Sequence, residues 1–206
     1  AQRAPSGFNV QPYRIVLVQD PFVRKQLARN EIISAIDVGA NRGSFSRLLL
    51  ESLGCKVWAF EPYGPAFEEL ETLNQIYSGR FKALNTALGS TAQQTATLHF
   101  NPKAASHASL VAEADDIPYI DNRYQAEVPV TSIDSFVEQE GLPKVDFIKI
   151  DVEGFEREVV LGARHTIASG TVKAIQLEFN WHHLVTGDSV FQFSRMYGYN
   201  KRLSQR

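Results

Sequence analysis

The stretch SAIDVGANRGSFSRLLLESLG, Ser34 to Gly54, decides the fold. Ser34 to Gly39 reads as a buried strand ending at a glycine. Beyond a short turn, Phe45, Leu48, Leu49 and Leu53 recur at helical spacing, and Gly54 marks the stop. Strand, tight turn and helix follow one another directly, which is how an α/β chain begins.

The same alternation continues along the chain. Lys56 to Phe60 is a second strand, and Pro65 opens a helix with Phe67, Leu70, Leu73 and Ile76 on one side, closing near Gly79. Phe81 to Leu88 is a third strand, VDFIKID (Val145 to Asp151) a fourth and Val172 to Phe179 a fifth. The helix FEREVVLGARHTIASG, with Val159, Val160 and Ala163 inward and Gly170 as the stop, lies between the last two. Upstream, Ile15 to Asp20 is a short apolar segment, and Asp20-Pro21 starts a helix that runs to about Arg29. Downstream, a helix around Val190 to Tyr197 and a last strand, Tyr199 to Leu203, are expected. The fold class is α/β and Rossmann-like, a mostly parallel sheet with helices on both faces.

Around residues 90–130 the pattern changes. Thr95 to Phe100 and Ala126 to Val130 read as an inserted strand pair. The polar segments AASHASL and EADDIPYIDN lie between them, a connection long enough to suggest a lid or binding loop. Thr131-Ser132 or Asp134 then caps a helix through Val137. Residues 1–33 read as an N-terminal segment with a helix and 34–206 as the body carrying the chemistry, one domain overall.

Composition narrows the function. The 206 residues are 44% hydrophobic and 21% charged, ordinary for a globular chain, with a net charge of -2. That balance gives no electrostatic case for nucleic acid as a partner. The one cysteine, Cys55, excludes an internal disulfide and argues against structural zinc, so a packed core thiol is expected. No apolar run reaches membrane-span length. The first residues lack an initiator Met and a signal-like apolar core, so the cytoplasm is the default expectation. Oligomeric state is not legible.

Ligands of such sheets bind beyond the carboxyl ends of the strands. Those ends carry Asp37 to Gly43, then Phe60-Glu61-Pro62, Asn85 to Gly89, Asp151 to Gly154, and Glu178 to Asn180. Gly39 and Gly43 would let a ligand approach the first turn, and Glu61 can accept hydrogen bonds from both hydroxyls of a ribose. A dinucleotide site wants GxGxxG, and here the corresponding positions are Gly39, Asn41 and Ser44. Asp37 below that loop would repel pyrophosphate and suit a cofactor bearing an amino group and a sulfonium, as S-adenosylmethionine (SAM) does.

IDVGANRGSFS, AFEP, TALG, VTSIDSF, DFIKIDVEGFEREVVLGA and IQLEFN together resemble the FkbM-type SAM-dependent methyltransferases, from about Ile36 to Asn180. The resemblance implies a class I methyltransferase fold with a seven-stranded sheet and methyl transfer to a hydroxyl of a small molecule, sugar or natural product. It implies that the turn from Asp37 through Gly39, Ala40, Asn41 and Gly43, with Ser44, holds the methionine part of SAM. Glu61, between Phe60 and Pro62, would bind the ribose. Ala87 and Leu88 would lie by the adenine and Asp151 by the transferring methyl. The usual fold ends in an antiparallel strand pair, whereas only one strand is expected here after Asn180.

Lys149, Asp151 and Glu153 stand two apart, so a continuous strand would put them on one face. Lys149 is expected in a buried ion pair with Glu178 or Asp151. Glu153 either caps the next helix or binds ligand. Candidate bases for a hydroxyl proton are Asp151, Glu178, His182 and His183, and Asp151, Glu178 and Asn180 would alternatively suit Mg²⁺. His107 and Ser109 of the polar loop read either as cofactor-facing or as solvated, Trp181 as the floor of an acceptor pocket, and Glu113 to Asp116 as a solvated run. Two rival functions stay open: a nicotinamide oxidoreductase, and a SAM-binding module without catalysis.

Overall fold

The computed structural model describes residues 13–17 as backbone, and residues 32–92, 95–112, 117, 120–180, 182–193 and 195–196 in full apart from the side chain of residue 105. Strands β1 (Tyr13–Leu17), β2 (Ser34–Val38), β3 (Lys56–Phe60), β4 (Phe81–Leu84), β8 (Phe147–Ile150) and β9 (Ala174–Phe179) form one sheet, in the order β1-β9-β8-β2-β3-β4. Five of these strands run parallel, and β1 pairs antiparallel with β9. The antiparallel edge is therefore supplied from the N-terminal side of the chain. The expected helix at residues 20–29 and last strand at 199–203 lie outside the described residues.

Burial on both faces follows from the alternation along each strand. In β2, Ala35 joins one apolar cluster and Ile36 and Val38 the other. In β8, Phe147 faces the first cluster, Ile148 and Ile150 the second. Helices α1 (Ser44–Ser52) and α2 (Gly64–Ile76) contribute Leu49, Leu50, Leu70 and Leu73 to the first face. Helices α3 (Ile133–Gln139), α4 (Glu156–Leu161) and α5 (Arg164–Ala168) cover the second.

Three details depart from the expected elements. The third strand is divided: β4 ends at Leu84, and Ala87–Leu88 is a separate strand, β5, paired with β7 (Tyr124–Thr131). Asn85 makes the division, its amide donating to the carbonyls of Glu61 and Pro62 at 2.8 and 3.2 Å. Strand β6 (Thr95–Phe100) lies antiparallel on β7, so the inserted pair becomes a second, three-stranded sheet. The helix after β8 is broken between α4 and α5, and there a Cβ on Gly162 would lie only 1.9 Å from the carbonyl oxygen of Gly89. Ser132 is the cap of α3, accepting from Ser135 N at 3.1 Å.

From β2 the parallel part of the sheet builds outward through β3 and β4, then returns to the other side of β2 at β8. That reversal leaves a crevice at the carboxyl ends of β2 and β8, where open α/β sheets bind ligands.

Candidate active site

Two adjoining hollows open at this crevice. The first, about 280 Å³, is lined by the apolar Phe60, Ala87, Leu88, Leu98, Leu110 and Phe155. Its lining also carries Gly39, Asn41, Glu61, Pro62, Asp151, Glu153 and Glu178. The second, about 590 Å³, is lined by Ala40, Arg42, Ser44, Phe45, Leu48, Lys103 and Lys149 among others. Gly39, Asn41, Ser106, Asp151 and Glu178 belong to both and form the shared wall.

The first turn is shaped by the backbone around it. The amides of Gly39 and Ala40 both donate to the carbonyl of Phe60 at 3.0 Å, which ties β2's end to β3. Gly39 has φ of +71°, and a Cβ there would lie 1.9 Å from the carbonyl oxygen of Asp151. So the approach of β8's end is by itself enough to require glycine here, and Gly39 also lines both hollows. Gly43 is buried against Leu70 and Leu73 of α2 and reaches neither hollow.

Asp37 differs from expectation in the same way. It is fully buried, accepts from Ser46 Oγ at 2.7 Å, and lies 3.4 Å from Lys149 Nζ. It lies below the hollows instead of lining them. Lys149 also meets Asp151 Oδ2 at 3.1 Å and donates to the Gly39 carbonyl at 3.0 Å. Burial pulls the Lys149 ammonium down, but the carboxylates of Asp37 and Asp151 more than offset it, so it stays charged above its ordinary range. The expected buried pair therefore exists, with Asp151 and with an unforeseen second acid.

Glu61 lines the first hollow while holding the turn. Its two oxygens accept from Asn41 N at 2.7 Å and Tyr63 N at 2.8 Å. Burial pushes its carboxyl above the ordinary value, although both amides and the Lys149 charge pull the other way. Each oxygen retains a lone pair for a further donor.

Beyond Ile150 the strand alternation ends. Glu153 sits in a turn at φ +54° and does not cap α4. Its Oε2 accepts from Asn180 Nδ2 at 2.6 Å and lies 2.9 Å from His182 Nδ1, and its carbonyl accepts from Ser109 Oγ at 2.7 Å. The turn itself is held by Glu156, which the sequence reading did not single out. Fully buried, it accepts from Val152 N and Gly154 N, each at 2.9 Å, and lies 3.1 Å from His183 Nε2. Burial pushes the His183 pKa down, but Glu156, with smaller contributions from Asn180 and Asp188, leaves it above the ordinary value. An acid at the start of a helix, two residues after a turn glycine, was the available signal.

His182 and His183 are buried and line neither hollow. His182 Nδ1 lies 2.9 Å from Asn180 Oδ1 as well as from Glu153, so His182 reaches the first hollow only through Glu153. Asn180 N donates to His183 Nδ1 at 3.2 Å. The Asn180 amide is thus committed to Glu153 and His182, and the described residues hold no group of three His, Cys, Asp or Glu suited to a metal. Ser109 lines the first hollow, and its hydroxyl anchors the polar loop to Glu153. His107 accepts from Asn122 Nδ2 through its carbonyl and lines neither hollow. Trp181 and residues 113–116 lie outside the described residues.

The chain is 26% identical to the AMB antimetabolite synthetase AmbE of Pseudomonas aeruginosa over 84% of its length, spanning about 10% of that protein. No helix among the described residues is long and apolar enough to cross a membrane. Residues 37–201 match the model of the methyltransferase FkbM domain. This match covers most of the chain and includes every element that builds the two hollows after the start of β2, so the protein belongs to the FkbM methyltransferase family, with a Rossmann-like fold.

Proposed function

We propose that the protein transfers a methyl group from SAM to a hydroxyl of a small molecule, sugar or natural product. The observation that supports this most is the charge of the first hollow. Glu61, Asp151, Glu153 and Glu178 line it, and no Lys or Arg does among the described residues. Such a wall suits a cationic cofactor and repels the pyrophosphate of a dinucleotide. When bound, SAM supplies an electrophilic methyl group on a positively charged sulfur.

The chain's own groups divide the remaining work. Glu61 accepts the ribose hydroxyls with its free lone pairs, and Phe60, Ala87, Leu88 and Phe155 flank the base. Gly39, Ala40, Asn41 and Ser44 border the amino-acid part. That part reaches Ala40 and Ser44 at one border of the second hollow, and the acceptor enters through the rest of this hollow to meet the shared wall at Asp151 and Glu178. Asp151 has one oxygen held by Lys149 and takes the hydroxyl proton with the other, while Glu178 orients the acceptor. A positioned base contributes about 10²- to 10⁴-fold to such a reaction. His182 acts by bracing Glu153, and the cytoplasm is the setting.

Calorimetric titration of the wild-type protein with S-adenosylhomocysteine and with NADH tests the cofactor. Saturable binding of S-adenosylhomocysteine without NADH binding is expected. NADH binding, or no S-adenosylhomocysteine binding to the folded protein, overturns the reading. Binding of SAM with no methyl transfer to any hydroxylated acceptor would favour the module without catalysis.

A further inference from the structure

The second hollow has a polarity that the transfer of a methyl group does not by itself require. Its less exposed part is the acidic shared wall of Asp151 and Glu178. Lys149, also buried on the lining, is neutralised there by Asp37 and Asp151. Phe45 and Leu48 also line it, and Leu48 is 53% exposed although apolar. Arg42 and Lys103, both exposed and so at its outer part, complete the lining from two different segments, the β2–α1 turn and the polar loop after β6. Among the described residues Arg42 meets the Glu69 carboxylate, at 3.4 Å between exposed side chains, a contact of little strength. Lys103 has no acidic partner among the described residues.

Resting on the proposed methyl transfer, we infer that the acceptor is an anionic molecule, bearing a carboxylate or a phosphate, whose hydroxyl enters first. An anion at the inner end would face Asp151 and Glu178 and be repelled. At the outer end it meets two cations. An apolar body between the two ends covers Phe45 and Leu48. The hollow therefore orients a two-ended acceptor by charge, hydroxyl inward and anion outward, before any specific contact is made.

Three probes of one shape test this: 3-hydroxybenzoate, 3-hydroxyphenyl phosphate and the neutral 3-hydroxybenzamide. Each is titrated by saturation-transfer NMR into protein already saturated with S-adenosylhomocysteine. At least one anionic probe should bind about tenfold more tightly than the amide, as two rim charges of modest strength give. The advantage should fall below about twofold in the Arg42→Gln, Lys103→Gln double variant and shrink with added salt. Preference for the benzoate or the phosphate identifies which anion the rim takes. Equal affinity for acid and amide, no binding of either anion, or an advantage that survives the double variant overturns the inference. A matching loss of S-adenosylhomocysteine affinity in that variant would reassign the two cations to the cofactor's own carboxylate, which also overturns it. The saturation step keeps the two readings apart, because failure of the cofactor reading appears there as absent S-adenosylhomocysteine binding.

Discussion

Glu156→Ala is the most informative single perturbation of the turn that carries Asp151 and Glu153. The side chain is fully buried and accepts two backbone amides, Val152 N and Gly154 N, both at 2.9 Å. Alanine leaves both N–H groups without their acceptor, at about 1–3 kcal/mol each. It also removes an acid from the first turn of α4, worth about 0.3–1 kcal/mol. The expected loss is roughly 2–7 kcal/mol, a large part of the ~5–15 kcal/mol typical of a domain. For a chain of this size, each kcal/mol lowers the midpoint by about 2–4 °C, so thermal unfolding should shift down by at least about 4 °C. Glu156→Gln retains one acceptor and should lose about half as much. S-adenosylhomocysteine affinity should fall along with stability, because Val152 and Glu153 line the first hollow. A melting curve within about 2 °C of wild type, under the same scale, would refute the assignment of Glu156 as the brace of this turn.

Other expectations follow from buried charge and close packing. Lys149→Met leaves Asp37 and Asp151 facing one another without the ammonium and should cost about 3–5 kcal/mol in urea unfolding; Asp37→Asn in the same chain should recover part of it. Burial raises the Cys55 thiol from 9.0 to about 11, so its contribution to stability is complete below pH 9.0 and is lost as pH rises through about 11. Urea midpoints should fall over that alkaline window, and Cys55→Ala should flatten this part of the fall. Gly39→Ala would require both φ of +71° and a Cβ 1.9 Å from the Asp151 oxygen. It should abolish S-adenosylhomocysteine binding or prevent folding altogether, and binding at wild-type affinity would contradict the packing argument.

The elements that sequence reveals best are those decided locally. The buried runs at Ser34 and Lys56, the helix entered at Pro65 and the glycine stops all report a local periodicity or a fixed turn geometry. What was not legible depends on partners far apart in the chain. Asp37 reads as a cofactor acid until Ser46 and Lys149 close over it. Nothing near Gly39 in sequence shows that Asp151 will crowd it from more than a hundred residues away. The division of β4 from β5 depends on Asn85 reaching back to Glu61. β1, only five residues long, gives a weak signal of its own, and the sequence there reads only as a short apolar segment from Ile15. Asp151 and Glu178 were accessible to sequence reasoning because strand ends are set by local pattern, and their meeting on one wall follows from the parallel register of β8 and β9.

The central claim is that the acidic, ribose-accepting hollow at the ends of β2 and β3 holds SAM against the wall of Asp151 and Glu178. A crystal structure of the protein with S-adenosylhomocysteine tests it most directly. The account predicts the adenosine between Phe60 and Leu88, the ribose hydroxyls on Glu61, and the sulfur facing Asp151. S-adenosylhomocysteine bound away from Glu61, or reversed with its base at the Asp151 wall, would contradict it.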